Sequence, residues 1–346
     1  MKYRPWLYTT LGCAAYAVAA CGDDPTQPNR ATDQPAAAPV SAVGSNTWSL
    51  RRDEPFERWD VTVAEVPNAA GQSILYVIGG RTATGAPLGR VRAYNVATNK
   101  WTSKPDLPRP LSATNGAGVV NGRIYVSGGL FDKEWYDEGV SSGLYMYNPA
   151  TNTWTRKRDM PDWGAWGVTG VIKGKLYVLT TCVEEPFDGA YYFDICEPSK
   201  FFRYNPATDR WTTLPSPKGS FNENSGGAVL YDKLYVTNGD NLEMYDPATK
   251  QWITKKTGGQ RRVGAAATAL GAKLYLMGGR GINSEGEWET FRTMRVYHPI
   301  TDTWSTVAPM PTARDGIAAA RVFLDGRPRI EVVGGSLPGN NLQYIP

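Results

Sequence analysis

The C-terminal residues Asn341-Leu342-Gln343-Tyr344-Ile345-Pro346 and the segment Ser45-Asn46-Thr47-Trp48-Ser49-Leu50 are two halves of one phrase. Between them the phrase occurs intact five times, as in Tyr147-Asn148-Pro149-Ala150-Thr151-Asn152-Thr153-Trp154. The C-terminal segment carries the tyrosine half and the N-terminal segment the tryptophan half. A repeat divided in this way between distant segments implies a closed ring of repeats, in which strands from both segments complete one unit.

Each unit has the same order of parts. A strand of small residues leads to an apolar strand ending in Gly-Gly. A variable loop follows, then a strand ending in Tyr, a turn of the Asn-Pro-Ala-Thr-Asn type, and a short strand bearing Trp. The apolar strands end at Gly79-Gly80, Gly128-Gly129, Thr181-Cys182 (glycines lost), Asn238-Gly239, Gly278-Gly279 and Gly334-Gly335. The tryptophans are Trp48, Trp101, Trp154, Trp211, Trp252 and Trp304, about 40 to 58 residues apart, which is the period of propeller repeats. Diglycine allows torsions and close approaches that a Cβ forbids, flat Tyr and Trp rings suit the wedge between neighbouring sheets, and the Asn-Pro-Ala-Thr-Asn stretch is turn chemistry.

These residues resemble the kelch repeat, and the resemblance runs from Ser45 to Pro346. It implies an all-β fold: a six-bladed β-propeller of four-stranded antiparallel blades, the last closed by strands from both terminal segments. The blades are expected over Arg58 to Thr102, Ser112 to Thr155, Gly164 to Thr213, Asn222 to Thr254, Arg262 to Ser305, and Arg314 to Tyr344 with the strand around Trp48. Closure leaves no open sheet edge for a partner to cover, so a monomer is expected.

Composition agrees with many short strands and turns: 12 Trp, 19 Tyr, 37 Gly and 25 Pro in 346 residues. The formal charge is +4, with no basic run in the repeat region, which argues against nucleic acid as a partner. His298 is the only histidine. That argues against histidine-rich metal sites, serine–histidine catalysis and two-histidine copper chemistry, and no metal or cofactor is expected.

Residues 1–20 join a basic start (Lys2, Arg4) to an apolar run from Leu11 to Ala20, short for a membrane span. The run ends in Val18-Ala19-Ala20-Cys21-Gly22, which resembles the lipobox of bacterial lipoproteins. The resemblance implies a signal peptide over 1–20, acylation of Cys21, and anchoring in a bacterial cell envelope with the domain extracytoplasmic. An ordinary signal peptide cut nearby, or an uncleaved anchor, is the alternative. Residues 21–44, rich in Asp, Pro, Thr, Gln and Ala, read as a flexible stalk, leaving 45–346 as the propeller.

Ligand candidates gather where loops enter the first strand and join the second to the third, since antiparallel pairing puts both at one end of a blade. Arg58, Arg262 and Arg314 recur at the entries, where other blades have Ser112, Gly164 and Asn222; Arg81 and Arg280 follow two diglycines. Two readings stand side by side. Converging guanidinium forks suit a carboxylate, sulfate or phosphate, and kelch domains that bind acidic peptides imply contacts of this kind. Alternatively, the arginines brace the blades by hydrogen bonds to carbonyls. Asn115, Trp163 and Trp166 at the entries of blades two and three join the candidates, as do Asn222 and Glu223 of blade four. The long second-to-third loops of blades two, three and five bring aromatics together with acids, among them Trp135, Tyr191 and Trp288, against short loops in blades four and six. Such loops offer stacking faces and directional acceptors to a sugar or peptide, or pack on themselves. Cys182 and Cys196 share the blade-three insertion, and an exported chain favours their pairing as a disulfide.

The expected function is therefore a membrane-tethered binding module that recognises a glycan, peptide or protein through the loop face, with no catalytic constellation. The alternative is a sugar-active enzyme resembling the sialic-acid mutarotases. Glu223 would then transfer the proton and the arginines would hold the acidic substrate.

Overall fold

The computed structural model describes residues 45–131, 139–181, 183–187, 191–195, 199–219, 221, 225–283, 285–335 and 341–346. Cys21, Trp135, Cys182, Cys196, Asn222 and Glu223 lie outside the described residues, and so does the side chain of Tyr191. Residues 43 onward form one compact unit.

Among the described residues the strands form six antiparallel blade sheets of the expected order and one separate two-stranded ribbon. Blade one shows the plan. A first strand, Thr62–Pro67, pairs with Ser73–Ile78, which pairs with Val91–Asn95, which pairs with the outer strand Lys100–Lys104. Blades two to five repeat it from first strands Ala117–Val120, Ala165–Ile172, Gly226–Leu230 and Val263–Leu270. In blade six, Ile317–Leu324, Arg327–Gly334 and Leu342–Ile345 are completed by Thr47–Leu50. Each first strand touches the first strands of the two blades beside it, blade six meeting blade one, so the ring is closed.

Burial follows position in the blade. Second strands such as Ser73–Ile78 are covered on both faces and buried throughout, hence their run of apolar residues. Outer strands such as Lys100–Lys104 are mostly exposed, with Trp101 among the few half-buried residues. First strands converge on the axis and leave no room for bulk: a Cβ on Gly226 would lie 2.6 Å from that of Ala267 in the next blade. At Gly128, whose φ is 66°, a Cβ would stand 2.1 Å from the Gly164 carbonyl oxygen of blade three, and the next residue's N–H, that of Gly129, donates to this same oxygen at 2.9 Å. The diglycine is therefore where one blade hydrogen-bonds to the entry loop of the next.

The repeated Tyr and Trp are cross-strand partners in every blade, with ring centroids 4.9 to 5.2 Å apart. Each indole N–H donates to a carbonyl just beyond the outer strand of the preceding blade. Trp154 bonds Pro105 at 2.9 Å, Trp304 bonds Lys256 at 2.8 Å, Trp48 bonds Ala308 at 2.9 Å, and Trp101 bonds Arg52 at 2.8 Å. Trp48 and Trp101 flank the blade completed by both terminal segments, so its outer strand is held on both sides as in the continuous blades. The tyrosine hydroxyl closes the turn: Tyr297 donates to Asp302 Oδ1 at 2.6 Å and Tyr344 to Asn46 Oδ1 at 2.9 Å. Asp302 and Asn46 both have positive φ, a conformation that Asn and Asp tolerate.

Two second-to-third connections form ribbons of their own. In blade three Val183–Phe187 pairs with Tyr191–Ile195. In blade five the second strand, Lys273–Ile282, runs past its diglycine and pairs with Trp288–Thr290. Blade four between them needs only Asn238 to Asn241 to join the same strands.

Candidate functional site

The loop face is built from the entry segments, the diglycines and the second-to-third connections. Its recurrent arginines are internal braces wherever their bonds are seen. Arg58 is buried and donates from Nη1 to the carbonyls of Gly79 at 2.7 Å and Arg90 at 2.8 Å. Its Nη2 and Nε meet the Glu54 carboxylate at 2.5 and 3.2 Å. Arg262 repeats the pattern in blade five, with Nη1 on the carbonyls of Gly278 at 3.0 Å and Thr293 at 3.3 Å, and Nη2 on Thr293 Oγ1 at 2.8 Å. Each guanidinium thus fastens the exit of a blade's second strand to the entry of its third. Burial pulls the Arg262 guanidinium down to about 10, the nearby Arg295 adding to the effect, but it stays charged at neutral pH. Arg262→Ala is expected to cost about 2 kcal/mol, measured as a lower urea midpoint.

Arg314 is also buried, with Nε donating to Thr312 Oγ1 at 3.0 Å, and its main-chain carbonyl accepts from Gly279 N–H at 2.7 Å. Arg81 pairs with the buried Asp60 at 2.6 Å. Asn115, fully buried, donates to the Gly164 carbonyl at 3.1 Å and accepts from Gly167 N–H at 3.1 Å, tying blade two to blade three. Trp166 is buried with Ala113, Leu130, Val140 and Ala165 and offers no surface to a ligand. Trp163 is half-buried, with Lys200 Nζ 5.4 Å from its ring and that lysine paired to Asp162 at 2.6 Å.

What faces solvent lies farther out. On the blade-five ribbon Trp288 is 60% exposed and its cross-strand partner Ile282 46%. The Arg280 guanidinium sits 5.1 Å from the Trp288 ring and 3.7 Å from Asp315. The structure therefore brings Arg280 and Trp288 together at the surface, whereas Arg58 and Arg262 are buried in the framework. Phe56 was not among the residues expected from sequence. It is exposed beside a cleft at the seam of blades six and one, under the Arg90 guanidinium at 3.6 Å with Arg92 at 5.4 Å.

A signal for that seam was present in the connectors. Glu54-Pro55 stands where other connectors carry Leu107-Pro108, Met160-Pro161 and Met310-Pro311, and those apolar residues are buried. Glu54 is buried in their place, its carboxyl pushed up by burial and held down in part by Arg58.

Three stretches match the Kelch motif model: residues 66–108, 113–161 and 261–311. Kelch-like protein terF of Aspergillus terreus is 30% identical over 238 residues, 64% of this chain and 50% of that one. Kelch-like protein 21 of Danio rerio is 24% identical over 315 residues, 81% of this chain and 49% of its own length. Alpha-scruin of Limulus polyphemus is 26% identical over 249 residues, 72% of this chain and 22% of its own. The chain spans about half the length of the Kelch-like relatives. Among solved structures, YjhT superposes with a TM-score of 0.64 at 17% identity, covering 85% of this chain and 95% of that one. Matched motifs, six blade sheets in a closed ring and a shared fold together make this chain a six-bladed β-propeller built on kelch motifs.

Proposed function

We infer that this propeller is a protein-binding module that uses the rim of its loop face, held outside the cytoplasm by an acylated Cys21. The observation that carries the reading is the division of labour among the arginines and aromatics. Arg58 and Arg262 are spent on carbonyls inside the blades, while Trp288, Ile282 and Phe56 stand exposed on the rim. Exposed Trp beside Arg is the composition of interface anchors, and the similarity to Kelch-like proteins supports the same class. A peptide is favoured over a glycan because aliphatic Ile282 stands exposed beside Trp288 on the rim.

Two measurements test this. A peptide-display selection and a glycan array on the purified chain separate the ligand classes: enrichment confined to the glycans overturns protein recognition. Mass spectrometry of the mature N-terminus in a bacterial host reads the anchor, and a Cys21 without acyl chains overturns tethering.

A further inference from the structure

The end of the propeller opposite the loop face has a pattern of its own. Antiparallel pairing puts the first-to-second and the third-to-fourth turns of every blade there. Each blade presents an exposed cation in these turns: Lys100, Arg123, Lys173, Lys250, Lys273 and Arg327. Most acids of the same turns are engaged. Asp209 and Asp302 accept from tyrosine hydroxyls at 2.6 Å, Asp246 pairs with Lys233, and Asp232 lies 3.8 Å from Lys173. Arg329 of blade six occupies the place of Lys233, but Ile345 stands where blade four has Asp246. This half-buried guanidinium bonds the neighbouring Pro328 carbonyl at 3.2 Å and leaves its buried Nε without a partner. The turn end is therefore basic.

Exposed apolar side chains stand among these charges on three consecutive blades: Tyr231 at 55%, Ile300 at 84% and Phe323 at 41% exposure. Ile300 replaces the alanine of the other turns, Ala97, Ala150, Ala207 and Ala248. Tyr231 has a φ of 52° at the position of Asn121 and Asp325, a left-handed conformation that suits Asn and Asp and strains a bulky residue. Phe323 has the Arg321 guanidinium 5.4 Å from its ring. The chain also enters the propeller at this end, in blade six, where Asn46 takes the turn position beside Tyr344.

We propose that the turn end lies against an anionic phospholipid bilayer, with Tyr231, Ile300 and Phe323 in the headgroup layer and the cations, Arg327 and Arg329 foremost, on the phosphates. This rests on the tethering reading, which brings a bilayer to the end where the chain enters, and it turns the loop face outward to its partner. Basic residues near an anionic leaflet each add attraction, and aromatic rings settle at headgroup level. Solubility would account for the exposed cations but not for the apolar side chains among them.

The test uses the full chain with Cys21→Ser, which removes the acylation site. It is sedimented with vesicles of mixed phosphatidylglycerol and phosphatidylcholine, or of phosphatidylcholine alone, the latter giving the baseline set by residues 1–44. Binding to the anionic vesicles is expected to exceed that baseline at least about 10-fold and to fall with salt. The double variant Lys273→Glu, Arg327→Glu should remove most of the excess, and so should Phe323→Ser. Tyr231→Asn should weaken binding several-fold while melting no lower than the parent, since Asn suits the turn. Arg292→Glu, exposed at the loop end, alters net charge and should leave binding as it is. Equal binding to both vesicles overturns the bilayer contact and leaves tethering, which acylation of Cys21 reads separately, standing. Binding that needs the cations but is indifferent to Phe323 and Tyr231 belongs to a general polyanion site and overturns the bilayer as its occupant.

Discussion

Removal of residues 341–346 is expected to cost at least about 5 kcal/mol, because it strips buried Leu342 and Tyr344 from the core of blade six. With the strand go its ladders to Thr47–Leu50 and Arg327–Gly334, the stack on Trp48, the hydroxyl bond to Asn46 and the packing of Tyr344 against Tyr275 of blade five. Trp48→Ala asks the same question with less damage. Trp48 is half-buried, so the low end of the usual tryptophan range applies, about 3 kcal/mol. For a domain of this size that is a fall of roughly 6 to 12 °C in melting temperature. Trp154→Ala, in a blade with continuous strands, supplies the reference. If the seam is held as firmly as any other junction, the two alanine variants melt together. A truncated chain that melts like the parent would show that blade six is not closed by Tyr344 and Trp48.

Most of that junction was legible before any coordinates, because the Tyr–turn–Trp phrase encodes both its hydrogen bonds and its register. Tyr344 pairs with Trp48 as Tyr147 pairs with Trp154, and a divided copy of a periodic phrase has one place to go. The loop face was less legible. Recurrence identified Arg58 and Arg262 as important without saying where the guanidinium points, and the same arginine at a blade entry can serve a ligand or a carbonyl. The geometry of Gly79, Arg90, Gly278 and Thr293 decides between them. In the sequence the blade-five ribbon is only a long loop, since three residues, Trp288–Thr290, are too few for alternation to announce a strand. Two buried acids carry a local signal. Glu54 occupies an apolar connector slot, and Glu331 stands where the other five second strands carry Tyr76, Tyr125, Tyr177, Tyr235 and Tyr275.

Glu331 makes the seam of blades six and one sensitive to pH. Elsewhere the second-strand tyrosine packs on the third-strand tyrosine of the following blade, as Tyr76 does on Tyr147 at 5.8 Å. Here Glu331 lies within electrostatic reach of Tyr94. It accepts from Gln343 Nε2 at 2.9 Å, with Asn341 beside it and the charge of Arg51, which is bound to Tyr94 Oη at 3.0 Å, close by. Burial pushes the carboxyl from 4.5 up to about 7, against the opposing pull of Gln343 and Arg51. The folded state therefore holds this proton more tightly than the unfolded chain. The stability it contributes is fully present below about pH 4.5 and is lost as pH rises through 7, roughly 3 kcal/mol in all. Glu331→Gln keeps the shape and removes the titration. Subtracting its urea-derived stability from that of the parent at each pH cancels the other titrating groups, including Asp209, Asp246 and Asp302, whose lowered values act in the opposite sense. The difference curve is expected to step between pH 4.5 and 7, with the variant gaining on the parent on the alkaline side. Parallel curves across that interval would mean that Glu331 is solvated or fully paired, and that the seam gains nothing from its proton.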